Sequence, residues 1–139
     1  MKRVISIFLV LALLFLLSAC SAKYISSYSA TVFVESAWEG SIRAEIESFS
    51  GRYVWRLGNS NTRDTDIYYL ASLASGNMRV YYDSTASGGD KQSLFTIDGN
   101  GTAEGNGGYV SVGGEVYIIL ESIGDEPLRD VSLHISFKE

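Results

Sequence analysis

Alternation with a period of two residues constrains this chain more than any other feature. Ile42, Ala44 and Ile46 interleave with Arg43, Glu45 and Glu47, which is the pattern of a strand with one apolar and one charged face. The same period recurs at Tyr53/Trp55/Leu57, Ile67/Tyr69/Ala71/Leu73, Met78/Val80/Tyr82, Val116/Ile118/Leu120 and Val131/Leu133/Ile135/Phe137. Further strands are expected over 25–35, 94–98 and 109–112. Segments rich in Gly, Asn, Ser and Asp separate them, at 58–66, 84–90, 99–108 and 122–127, and read as breakers. No segment after residue 20 has helical periodicity. The spacing predicts an all-β fold, a single antiparallel β-sandwich of about eight or nine strands over 25–139.

The order of strands is not readable from this pattern, and a small closed barrel is the alternative architecture. In layout the strands resemble jelly-roll or immunoglobulin-like sandwiches, such as carbohydrate-binding modules. The paired cysteines that flank a tryptophan in immunoglobulin domains are missing, which disfavours a true member of that family.

The N-terminus carries a different signal. Lys2 and Arg3 precede a largely apolar run from Val4 to Leu17, which closes on Leu17-Ser18-Ala19-Cys20. The run is shorter than the roughly 20 residues that span a bilayer, and fits the ~7–15 of a signal-peptide core. Ser21 and Lys23 follow at once, where a membrane helix would need more apolar residues. Leu17-Ser18-Ala19-Cys20 resembles the lipobox of bacterial lipoproteins. That resemblance implies cleavage before Cys20, a diacylglycerol on the Cys20 sulfur and, in some cells, a third acyl chain. Residues 1–19 are then the signal peptide and 20–24 a short lipid-anchored tether. Ser21 stands where Asp would signal inner-membrane retention in a Gram-negative cell, so the outer membrane is implied there. In a Gram-positive cell the protein would sit on the outer face of the plasma membrane.

Cys20 is the sole cysteine, so acylation leaves no thiol for a disulfide, a nucleophile or a thiolate metal site. The 120 residues from Cys20 onward make one domain by length, large enough for a core without such staples. Of the 11 Lys and Arg, Lys2 and Arg3 lie in the signal, leaving nine against 16 Asp and Glu. An acidic domain of this kind argues against nucleic acid as a partner. It also argues that membrane attachment comes from acyl chains rather than a basic patch.

Catalytic chemistry has little to build on. His134 is the only histidine, and its alternation with Leu133 and Ile135 places it on a solvent face. A Ser-His-Asp triad would have to form around it, yet no Gly-x-Ser-x-Gly elbow is present. Nothing singles out two of the 16 acidic residues as a glycosidase pair. The reading is therefore not an enzyme. Asp98, Asn100 and Glu104 offer oxygen ligands of the kind Ca²⁺ takes, but Ala103 and Tyr109 stand where an EF-hand needs Gly and Glu. An Asn100-Gly101 turn is the preferred reading of that loop, and Asp64-Thr65-Asp66 likewise reads as a polar turn.

If the apolar sets face the core, their alternates put Arg56, Tyr68, Arg79, Tyr81, Tyr117 and His134 outside. With Trp38 in the turn between the first two strands, Tyr68, Arg79, Tyr81 and Tyr117 are the candidate binding residues. Tyr, Trp and Arg suit protein partners, and aromatic rings also suit the apolar faces of sugars. The expected function is a membrane-anchored, non-catalytic binding module for a glycan or a membrane-proximal protein. The alternatives are a structural accessory subunit of an envelope complex and, third, an unrecognised hydrolase. Replacing Cys20 by Ala is expected to abolish processing and acyl labelling in the producing cell. A Cys20→Ala protein that is still cut and stays membrane-bound would contradict the lipobox reading.

Overall fold

The computed structural model describes residues 24–38, 40–84 and 91–137. The expected signal segment 1–19 and the lipidation position Cys20 lie outside the described residues. All the regular structure described is β: β1 (Ser27–Trp38), β2 (Ser41–Gly58), β3 (Thr65–Leu73), β4 (Asn77–Ser84), β5 (Gln92–Asp98), β6 (Gly101–Val110), β7 (Glu115–Ser122) and β8 (Leu128–Phe137). Every pairing is antiparallel. The expected all-β antiparallel domain is what forms, and its eight strands belong to one sheet that is nearly barrel-shaped.

Strand order explains how one sheet makes two layers. Hydrogen-bonded neighbours run β5-β4-β7-β2-β8-β3-β6, with β1 on β2 outside that path. The long strand β2 is shared. Its first part, Ser41–Phe49, pairs with β8, and its last part, Arg52–Gly58, pairs with β7. β3 and β4 continue this division one strand out, pairing with β8 and β7 respectively, and β6 and β5 do so at the rim. A first wall therefore consists of β1, the start of β2, β8, β3 and β6. The second consists of the end of β2, β7, β4 and β5.

The core lies between the walls. Ile42, Ala44, Ile46, Leu133, Ile135, Ile67 and Ala71 come from the first, and Trp55, Leu57, Ile118, Leu120, Met78, Val80 and Phe95 from the second. The Tyr69 ring stacks on Phe95 across the gap, with centroids 4.6 Å apart. β1 is clasped to β2 by aromatics: Phe33 lies 4.9 Å from Tyr53, and Tyr53 lies 4.6 Å from Trp55. Glu35 completes the clasp by accepting from the Tyr53 hydroxyl and the Trp55 indole, each at 2.8 Å. Burial, with the Glu35 carboxylate beside it, pushes the Tyr53 hydroxyl up to about 12.

Two local readings change against the structure. The strands expected around Ile42 and Trp55 are one continuous β2 of 18 residues, because its two halves find partners in different walls without leaving the sheet. The Gly-rich segment 99–108, expected to be a breaker, is mostly β6. Glycine is needed there for close approach: a Cβ on Gly105 would sit 2.8 Å from the Tyr69 hydroxyl.

A line of irregularity crosses three strands where the sheet bends. Inward residues of β2 change from even numbers (Ile42, Ala44, Ile46) to odd (Phe49, Trp55, Leu57), so Glu47 and Ser48 both leave the core. The residues facing Glu47 on either side, Val32 and Asp130, have φ of 46° and 51° and are the only described non-glycine residues with positive φ. A β-branched residue in this region carries strain of about 1–3 kcal/mol. Replacing the exposed Val32 by Gly is expected to leave the unfolding midpoint unchanged or raise it. The same change at Val34 should cost roughly 0.5–1 kcal/mol, as glycine does in an ordinary strand. Equal losses at the two positions in thermal unfolding would contradict strain at Val32.

Candidate binding faces

Folding one sheet into two walls turns the polar alternates outward on both sides. On the first wall the registers align three rows across five strands. One row is Trp38, Ser41, Ser136, Tyr68 and Asn106; the next is Ser36, Arg43, His134, Leu70 and Glu104. The third is Val34, Glu45, Ser132, Ser72 and Thr102. Neighbouring strands lie ~4.8 Å apart, so Trp38 and Tyr68 stand about 14 Å apart with two serines between them. Trp38 is 74% exposed and is the most exposed large apolar side chain described. Its indole N–H donates to the Ser36 hydroxyl at 3.1 Å, which leaves the ring open. The Tyr68 hydroxyl donates to Glu104 at 2.9 Å, and Ser132 donates to Glu45 at 2.7 Å. The surface is a shallow floor of hydroxyls with an aromatic ring at either side.

The outer face of the second wall is built differently, because its charges satisfy one another. Arg52 and Lys91 both pair with Glu121, Arg56 with Glu115 and Arg79 with Asp98. All salt bridges among the described residues lie on this wall. Lys91 also stands over the Tyr81 ring, 4.3 Å from its centroid. Tyr24 packs edge-on against Tyr117 at 5.4 Å and donates its hydroxyl to Asp83 at 2.5 Å. Ser26 accepts from the Val54 N–H at 2.9 Å. The segment leading into β1 thus lies across this wall.

The five candidate binding residues do not form one site. Trp38 and Tyr68 share the first wall, in one row. Arg79, Tyr81 and Tyr117 lie on the second, where Asp98, Lys91 and Tyr24 respectively engage them. Alternation showed that Tyr68, Arg79, Tyr81 and Tyr117 point outward, and Trp38, expected in a turn, instead ends β1; which wall each joins depends on pairings between distant strands. Arg43 and Glu45 belong to the open face and read from sequence only as the charged side of a strand. Among the candidate calcium ligands, Asp98 receives Arg79 at 2.6 Å and Glu104 receives Tyr68. No group of three or more His, Cys, Asp or Glu placed to hold a metal occurs among the described residues. Asp64, in the expected polar turn, accepts from the Tyr109 hydroxyl and from the Val112 N–H. These bonds, that of Tyr109 foremost, hold its carboxyl below the usual range.

His134 sits near the middle of the first wall, directly opposite Arg43 and Leu70. Its ring is edge-on to Tyr68 at 6.4 Å. Partial burial, and then the Arg43 charge, hold the imidazole below its ordinary value. At neutral pH it is an uncharged group able both to donate and to accept.

No family model and no curated protein matches this chain. Among solved structures it is similar to a GH115-family 4-O-methyl-alpha-glucuronidase with specificity for decorated arabinogalactans, at 13% identity and a TM-score of 0.35. The match covers 81% of this chain and 18% of that enzyme, so the chain spans less than a fifth of the enzyme's length.

The depressed His134 value gives a pH dependence of definite sign. Below about pH 6.5 the unfolded chain takes up a proton that folded His134 resists. Stability is therefore unaffected by this group at higher pH, and falls as pH drops from about 6.5 towards the lower folded value. Urea unfolding at pH 7.5 and pH 5.5 should show that loss, with His134→Gln removing part of it and Arg43→Ala reducing it. An unchanged pH slope in His134→Gln would contradict the assignment.

Proposed function

We propose that this chain is a lipid-anchored protein of the bacterial envelope whose β-domain is a non-catalytic binding module. Its ligand surface is the outer face of the first wall, and its ligand class is a glycan. One observation carries the reading: Trp38, 74% exposed, lies in one cross-strand row with Tyr68, over serine hydroxyls, on a face without internal ion pairs among the described residues. Aromatic rings offer sugars an apolar platform, while Arg43, Glu45, His134 and the serines supply donors and acceptors for hydroxyls. The arrangement is shallow and open, which suits a chain laid across it better than a small molecule enclosed in a cavity.

A second reading, docking to a membrane-proximal protein as an accessory subunit, is favoured by β1. That strand pairs only with β2 among the described residues and exposes Val32, Val34 and Trp38. An edge of this kind can accept a partner strand.

The two readings separate by mutation. Trp38→Ala and Tyr68→Ala should each weaken retention on immobilised envelope polysaccharide about tenfold or more, without moving the unfolding midpoint of Trp38→Ala. Tyr81→Ala and Tyr117→Ala should leave retention intact and affect stability only. Retention that depends on Tyr81 or Tyr117 instead would overturn the placement of the site. Binding to no polysaccharide, together with a partner protein crosslinked through β1, would favour the accessory reading.

A further inference from the structure

We infer that the second wall is the side on which this domain meets the headgroups of its own anchoring membrane, and that the first wall faces away from them. The inference rests on the lipid anchor proposed at Cys20. From there only four residue steps lead to Tyr24, so at ~3.3–3.6 Å per residue the chain reaches at most about 14 Å. Tyr24 is not a loose end. Its ring lies on Tyr117, its hydroxyl is bonded to Asp83, and two residues later Ser26 holds the Val54 N–H. The chain is therefore fastened to the outer face of the second wall at Tyr24, and to a β2 backbone N–H at Ser26, before β1 begins. Trp38, at the other end of β1, is 14 residues further along the chain.

Charge agrees with this orientation. On the second wall Arg52, Arg56, Arg79 and Lys91 are offset by Glu115, Glu121, Asp98 and Asp83, which leaves a face close to neutral. On the first, Arg43 and Arg129 are outnumbered by the exposed Glu45, Glu47, Asp66, Glu104 and Asp130. Anionic headgroups repel the second arrangement and tolerate the first-named. Ile25, 66% exposed, adds an apolar contact on the tether side, where it borders a shallow groove of about 290 Å³ with Ser27, Gly51, Arg52, Glu121 and Ser122.

The test uses the full, processed, acylated protein in vesicles of phosphatidylethanolamine and phosphatidylglycerol. With the Cys20 sulfur acylated, one introduced cysteine is the only thiol to label. A fluorophore on Ser93→Cys reports the second wall, and one on Asn106→Cys the first; both positions are exposed. Nitroxide-labelled headgroups should quench the Ser93→Cys label severalfold more than the Asn106→Cys label. Combining Tyr24→Ala with Ser26→Ala should bring the two towards equality while the unfolding midpoint confirms an intact domain. Equal quenching in the protein with its native tether, or stronger quenching at Asn106→Cys, would overturn the orientation while leaving the anchor standing. Failure of the processed protein to carry acyl chains or to float with vesicles would overturn the anchor reading and the orientation with it.

Discussion

The rest of the structure depends on β2 staying one strand while serving two walls. Between Ile46 and Phe49 its inward set moves from even to odd residues, and the neighbours on either side of Glu47 adopt left-handed backbone at Val32 and Asp130. A regular strand keeps its side chains in strict alternation, so a sheet that folds over on itself has to break that alternation somewhere. Here the break is a line running through β1, β2 and β8. The reward is a core sealed from both sides, with Tyr69 of the first wall against Phe95 of the second. The cost is local strain and two polar residues, Glu47 and Ser48, off the core together.

Once the sheet is folded, two outward faces follow, and the sequence treats them differently. On the second wall each of the four cations has a carboxylate partner, and Tyr24 and Lys91 cover aromatic rings. Pairs as exposed as these add little stability individually, but they leave fewer groups available to a ligand. On the first wall the side-chain hydrogen bonds from Tyr68 to Glu104 and from Ser132 to Glu45 run between strands, and no ion pair forms among the described residues. Trp38 and Arg43 remain open. The same chain thus builds one face that is internally satisfied and one that is not.

Local pattern carried much of this. Period-two alternation located most of β2, β3, β4, β7 and β8, because inward residues there are large and apolar. It failed at β6, where Gly101, Gly105, Gly107 and Gly108 read as breakers; the lack of a side chain at Gly105 admits Tyr69 of β3, and at Gly108 admits Tyr82 of β4 in the opposite wall. It also failed to join Ile42 and Trp55 into one strand, since the parity change around Glu47 looks like an ending. Outward placement of Tyr68, Tyr81, Tyr117 and Arg79 was legible for the same reason as the strands. Their division between two walls was not, because register between β3 and β8, or β4 and β7, is set by contacts more than 30 residues apart in the chain rather than by neighbours.

The most direct measurement is amide chemical-shift mapping of the ¹⁵N-labelled β-domain, titrated with soluble envelope polysaccharide fragments. The expected result is a contiguous set of perturbed amides at residues 34–38, 41–45, 68–72, 102–106 and 132–136, with 79–83 and 117–121 unmoved. Perturbation centred on 79–83 and 117–121, or saturating fragment concentrations that move no amide, would contradict a glycan-binding first wall.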